Sequence, residues 1–416
     1  MKILRYFLLS VVAFTCSMVA SAQANTTSPY SMFGYGILND YASSAQRAMG
    51  GVGYAMNGGR QINTMNPASY SAIDSLTFLW DAGIDASILN SKENDKNVTT
   101  IGGGLDYITL QFPLSKKMGA SIGLLPYSSV GYEVASDIEH GSEARAGGGG
   151  LNILYAGAAY SPFKGFSLGV NVGYLFGINI YDNYVYAGSS TTLFERVIQV
   201  RSWDLKVGAL YSFNLDKKNK VSIGATYTPK KSLQGNTWGA YYDMTLDTRI
   251  DTIGFQSLNG NNYTPMGIGA GLSYEFDKRF MAEVDFTYQK WADAPFAKVE
   301  GFDNNDGKLT FDNRWKAAAG FQYTPDQRGN YFKRINYRLG GYFCHDYVNI
   351  AGNNVREMGV TCGLGLPAPG SKTVVNVGFE YKRRVSSPVK YITEDYLNIT
   401  LSVNFNQMWF WQNKIH

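Results

Sequence analysis

From Phe166 to Ile180 every second residue is apolar: Phe166, Leu168, Val170, Val172, Tyr174, Phe176, Ile178 and Ile180. Between them lie Ser167, Gly169, Asn171, Gly173, Leu175, Gly177 and Asn179, all but Leu175 small or polar. A period of two places the two sets on opposite faces of a β-strand. The run far exceeds the roughly 5–6 residues of an ordinary strand, and a tilted strand needs only about 9–11 to cross a bilayer. It therefore predicts a strand with lipid on one face and a lumen on the other. The row Gly169, Gly173 and Gly177 leaves space on the lumen side.

The chain opens on a basic pair, Lys2 and Arg5, followed by an apolar stretch and the small-residue site Ala20-Ser21-Ala22. This pattern predicts a secretory signal peptide over 1–22. Phe14 and Thr15 argue against Cys16 as a lipoprotein cysteine. No other stretch is apolar for the ~18 residues that a transmembrane helix needs. With 46 Gly, 30 Tyr and 14% aromatic residues, the composition suits a barrel better than a soluble enzyme. Losing Lys2 and Arg5 would lower the 37 basic residues to 35, almost balanced against 33 acidic ones, which favours neither nucleic acid nor an anionic surface.

Short polar turns recur between alternating stretches: Ser115-Lys116-Lys117, 161–165, 216–220, 277–279, 324–333 and 368–372. Six turns join twelve strands. One more strand starts near Leu76 and a last one runs from Leu397 to Phe405. The expectation is an all-β fold, a fourteen-stranded antiparallel transmembrane barrel over 75–406 with both termini in the periplasm of a Gram-negative bacterium. Longer connections are expected on the outside, at 90–102, 136–146, 181–195, 229–264, 292–310, 347–356 and 384–394, with 243–254 able to add a hairpin arm. Residues 23–74 lack sustained alternation. Residues 407–416 form an aromatic tail with Trp409, Phe410 and Trp411 before Lys414, a composition suited to the membrane interface.

The signal peptide, the segment ending in Asn66-Pro67-Ala68 and the fourteen strands together resemble the FadL/TodX family of outer-membrane transport proteins. The stretch Arg47-Ala48-Met49-Gly50-Gly51-Val52-Gly53 is similar to the glycine-rich part of that family's hatch. The resemblance implies that 23–74 fold into a hatch or plug in the lumen, with Asn66, Pro67 and Ala68 as its motif. Read as residues alone, Asn-Pro is a natural turn or helix start, and an ordinary turn into the first strand remains open. Pro126, on the third strand, cannot donate to a sheet ladder and should open a gap or bulge, unless it only marks the rim. The resemblance implies lateral release of a hydrophobic, fatty-acid-like ligand there, along Pro126, Tyr127 and Tyr132.

The expected lumen lining departs from that picture, being mostly Gly, Ser, Thr, Asn and acidic residues instead of apolar ones. The alternative function is a non-transporting accessory subunit of an outer-membrane protein insertion or secretion machine, as in specialised Bacteroidota-like relatives, with Trp409, Phe410 and Trp411 as contacts. The partners implied are outer-membrane lipid and either a hydrophobic small molecule or machinery subunits, without nucleic acid.

Enzymatic chemistry is not expected. His140, His345 and His416 share no ligand spacing, and neither a Gly-x-Ser-x-Gly elbow nor a phosphate loop is present. Asp303-Asn304-Asn305-Asp306-Gly307 lacks the later Glu of a calcium loop. No catalytic residue, metal or cofactor follows from the sequence. Cys344 and Cys362 either face each other across a hairpin and bond, or serve as small apolar wall residues.

Overall fold

A computed structural model describes residues 28–244, 248–257, 262–294 and 309–408. Its wall consists of fourteen antiparallel strands. They are β1 (Thr77–Glu93), β2 (Lys96–Ser115), β3 (Met118–Ile138), β4 (Gly141–Phe163), β5 (Phe166–Ala187), β6 (Ser190–Asn214) and β7 (Asn219–Thr228). The second half comprises β8 (Gly267–Phe276), β9 (Phe280–Gln289), β10 (Arg314–Tyr323), β11 (Asn336–Ile350), β12 (Asn353–Pro367), β13 (Val374–Ser387) and β14 (Thr393–Met408). Consecutive strands pair, and β1 pairs with β14 from Thr77 opposite Met408 to Lys92 opposite Thr393. Closure satisfies the backbone hydrogen bonds that hydrocarbon cannot.

The run that opens the sequence is β5, the fifth strand. Leu168, Val170, Val172 and Tyr174 face outward, whereas Ser167, Asn171 and Asn179 are buried toward the lumen. Leu175, the one apolar residue on the inner face, is fully buried in an apolar cluster. Aromatic residues collect beside the short turns: Phe163 stacks on Phe166, Tyr211 lies against Phe213 and Phe280 against Phe321. That is the girdle of a membrane boundary. Replacing outward Val172 with arginine should cost about 2–4 kcal/mol of barrel stability in a phosphatidylcholine vesicle titration. A cost below ~1 kcal/mol would mean that this face does not meet hydrocarbon.

The six short turns lie at the rim where Thr77 meets Met408. At the opposite rim several expected long connections are instead tight hairpins. The ladders run out to Glu93 opposite Lys96, Ile138 opposite Gly141, Ala187 opposite Ser190 and Ile350 opposite Asn353. Above a membrane both faces of a strand meet water, so polarity stops alternating while pairing continues. At 384–394 likewise, β13 continues to Ser387 and β14 resumes at Thr393. The 229–264 connection contains a hairpin arm whose Gly235–Asp243 strand pairs with upper β6 and with Thr248–Ser257. The expected signal peptide over 1–22 and the tail residues Trp409, Phe410 and Trp411 lie outside the described residues.

One ladder stops short. β2 and β3 pair only from Ser115 opposite Met118 up to Ile108 opposite Leu124. Beyond that point β2 pairs with β1, and β3 with β4, leaving a seam between β2 and β3 among the described residues.

Candidate functional site

Residues 28–76 lie inside the wall, held by hydrogen bonds to inward side chains. The amides of Gly53 and Tyr54 donate to Asp285 Oδ2 at 2.7 and 3.0 Å, and that of Ala55 to Glu283 Oε1 at 2.8 Å. Two alternate positions of β9 thus present carboxylates to three successive N–H groups. Elsewhere Gly50 N donates to Thr361 Oγ1 at 2.8 Å, and Tyr181 and Tyr347 hydroxyls donate to the carbonyls of Gly34 and Gly36. Irregular backbone in a lumen needs such partners, because an orphaned buried donor costs about 1–3 kcal/mol.

Asn66, Pro67 and Ala68 form the start of a 3-10 helix over Pro67–Ala72. Asn66 Oδ1 caps it by accepting from Ala68 N at 3.0 Å, and Pro67 occupies the first helical turn, where a missing N–H is harmless. The Asn66 amide also donates to Tyr54 O at 2.7 Å and to Ala209 O on β6 at 3.1 Å. The motif is therefore both a helix start and an anchor to the wall. Its slot is made by Gly169 and Gly208, which face each other across β5 and β6. A Cβ on Gly169 would stand 2.4 Å from the Pro67 carbonyl carbon, and one on Gly208 2.1 Å from Asn66 Oδ1. Of the glycine row on β5, only Gly169 makes room for this segment. Gly173 and Gly177 accommodate the neighbouring β4 strand, where a Cβ would meet Ile153 and Gly150.

A four-residue helix, Ser44–Arg47, begins where Gln46 Oε1 accepts from Ser43 N at 2.8 Å. It aims Arg47 at Asp106 of β2, 2.7 Å away. Burial opposes charging of Arg47, but Asp106, Asp85 and Glu380 together hold its pKa above the ordinary value. Nearby Asp40 sits between Lys316 at 2.5 Å and Arg314 at 3.2 Å on β10. Burial raises the Asp40 pKa, yet the two cations outweigh it and hold the carboxyl well below the usual carboxylate range. Opposite, Glu357 pairs with Arg384 at 2.5 Å and Lys382 at 3.7 Å.

These groups line a cavity of about 410 Å³. Six carboxylates and five cationic side chains border it, interspersed with apolar residues such as Ile37, Leu38, Leu105 and Ile178. Pro126 also borders it, opposite Asn152 and next to a bulge before Ser128. The β2–β3 ladder ends two residues earlier, at Leu124. The N-terminal segment takes over as partner there: Ile37 and Leu38 pair with Ser129 and Ser128, and Asn39 N donates to Tyr127 O at 2.9 Å. Ser31 Oγ both donates to Gly131 O and accepts from Gly131 N, each at 3.0 Å. Tyr127 faces an adjoining, smaller cavity that shares Asp40, Arg314 and Lys316 with the first, and it packs against the apolar cluster in which Tyr132 lies buried over Gly147.

Cys344 and Cys362 are free, with Cys344 buried and Cys362 exposed. In the β11–β12 register Cys344 faces Glu357 and Cys362 faces Leu339, so they do not oppose one another. Glu283 and Asp285 alternate with the apolar face of β9, a pattern that points to the lumen but names no partner. Their alternation was visible, but their partners lie 228 to 232 residues away. Among the described residues no three His, Cys, Asp or Glu side chains form a metal-binding group.

Known structures share this architecture. A Pseudomonas aeruginosa FadL homologue superposes with a TM-score of 0.65 at 13% identity, covering 90% of this chain and 99% of its own. The P. putida toluene transporter TodX gives 0.60 at 13%, covering 90% and 100%. The Ralstonia pickettii toluene transporter TbuX gives 0.55 at 12%, covering 88% and 98%. At such identities the likeness is one of fold, a FadL-like outer-membrane barrel. No curated protein matches the sequence. The BamG family profile matches residues 3–416, nearly the whole length, and the chain belongs to the BamG family.

Proposed function

We propose that this barrel, closed by its own N-terminal segment, serves as a non-transporting subunit of an outer-membrane protein insertion or secretion machine in a Bacteroidota-like branch of FadL-like proteins. In this reading 1–22 is the signal peptide, 23–74 the hatch carrying Asn66, Pro67 and Ala68, and 75–406 the barrel. Both termini are periplasmic, and Trp409, Phe410 and Trp411 of the tail contact a partner. The main support is the charged filling of the lumen around Asp40, Arg47 and Glu357. A hydrophobic solute crossing it would replace ion pairs with apolar surface, a costly exchange. The BamG family match, with only 12–13% identity to the toluene transporters, agrees. Mild detergent extraction and affinity purification should recover a stoichiometric outer-membrane partner. A monodisperse monomer without one would sink the proposal.

The seam supports a second reading: passage of a hydrophobic compound and its lateral release beside Pro126, past Tyr127 and Tyr132. The missing β2–β3 ladder beyond Ile108 and Leu124 is the favouring observation. Uptake of labelled long-chain fatty acid into vesicles, with and without the protein, tests it. Equal uptake would exclude it.

A further inference from the structure

The outer wall is dented on one arc. A groove of about 520 Å³ crosses β8–β12 and shares no lining residue with the lumen cavities. In the strand register Val284, Ala319, Gly341 and Val360 lie side by side, with Ala282 and Phe321 one step nearer the short turns. Val284 and Val360 are 53% and 62% exposed, so this face looks outward, and the small residues between them form the floor. The lining is apolar apart from the Tyr274 hydroxyl and Glu283, whose carboxylate accepts from the Ala55 amide inside the lumen. Phe280 bounds the groove on the turn side and directly follows Arg279.

The turns below this arc are tied to one another. Asp277 N donates to Lys218 O and Thr324 N to Arg279 O, both at 2.7 Å, and Gln327 Nε2 donates to Lys278 O at 2.9 Å. The three connections, 216–219, 277–279 and 324–334, carry seven lysines and arginines against three aspartates. Two of those aspartates serve their own turns, Asp216 accepting from Lys218 N and Asn219 N and Asp326 from Arg328 N. The other three short turns hold only Lys116, Lys117, Lys164 and Lys372. Lys217, Lys218, Lys278, Arg328 and Lys333 are exposed, and among the described residues none of them lies within ion-pair distance of a carboxylate.

We propose that this arc binds an anionic phospholipid, an acyl chain lying in the groove and the phosphate held among the basic turns. A dent in a wall that meets hydrocarbon loses dispersion contacts unless something fills it, and an acyl chain fills it without needing a polar partner. Lysines and arginines beside a membrane surface attract anionic lipid, and a cluster attracts it more strongly than one residue. Charge complementarity selects this occupant: a zwitterionic lipid fills the groove equally well but gains little from seven cations set against three carboxylates. The site rests on the lipid-facing wall and on neither reading of the function.

The test is native mass spectrometry of the full-length protein, delipidated in detergent and titrated with phosphatidylglycerol or phosphatidylcholine. One phosphatidylglycerol should be retained at least about fivefold more tightly than phosphatidylcholine. The double variant Lys278→Gln, Arg328→Gln should lower phosphatidylglycerol to the phosphatidylcholine level, while Ala319→Leu, which fills the floor, should weaken both lipids. Lys116→Gln, on the β2–β3 turn, and Ala156→Leu, on the outer face of β4, should change neither. All five side chains are exposed, so the variants do not challenge the barrel itself. Equal retention of the two lipids would overturn the site, as would a loss of preference in Lys116→Gln matching that of the double variant. An Ala319→Leu protein that keeps its lipid but loses a co-purifying protein would assign the groove to a protein partner and overturn it as well.

Discussion

Replacing Gly208 with valine is expected to expel the turn at Asn66 and Pro67 from the wall and open the lumen to ions. The added Cβ would stand 2.1 Å from Asn66 Oδ1 and 2.9 Å from Pro67 Cδ. Neither neighbour can yield easily. Asn66 is tied by hydrogen bonds to Tyr54 O and Ala209 O, and proline fixes the backbone beside it. Gly169, directly opposite, is itself filled by the Pro67 backbone, so the turn cannot slide toward β5. Overpacking alone costs about 1–3 kcal/mol, and each buried polar group stripped of its partner adds a further ~1–3 kcal/mol. The barrel should survive, since valine suits a strand and the β5–β6 ladder is made by backbone. Wild-type protein in planar bilayers is expected to stay closed, whereas Gly208→Val should conduct and be cut by protease within 28–76. A closed, protease-resistant variant would show that this slot does not hold the segment.

The wall was largely legible in the sequence because its signal is local. Alternation such as Leu168, Val170 and Val172 reports a face at every step, and a turn such as Asp277-Lys278-Arg279 interrupts it within a few residues. The reach of the strands was less legible. Near Glu93 or Ser190 the ladder persists in water, where neither face needs apolar residues. The lumen was harder still. Asn66-Pro67-Ala68 could be read as a helix start, but its grip on Ala209 depends on a partner 143 residues away. The pairing of Asp40 with Arg314 and Lys316 spans still larger separations, and nothing in the local pattern of Asp40 announces it. Charges that look solvated in a list of inward positions prove to be matched across the lumen, and that matching shapes the cavity.

Asp40→Asn is expected to loosen the N-terminal segment without unfolding the barrel, and the size of the effect should depend on pH in one direction. Asp40 joins the segment to Arg314 and Lys316, whose side chains are each only 8% exposed. Asparagine keeps the shape but leaves two nearly buried cations with no counter-charge. Removing one member of a buried pair typically costs about 3–5 kcal/mol, an upper range here because Asp40 borders a cavity and is 31% exposed. The folded-state pKa of Asp40 is depressed, so its contribution is fully present above the unfolded value near ~4 and is lost as pH falls through the folded value. Hydrogen-exchange protection at Asn39 reads this directly, since its amide donates to Tyr127 O only while the segment is docked. Wild type should exceed the variant by a constant margin from pH 7 down to about 4, with the margin narrowing below that. A margin that disappears already between pH 7 and 5 would mean that the carboxyl is not held charged by its two cations. Equal protection at neutral pH would mean that the ion pairs do not anchor the segment at all.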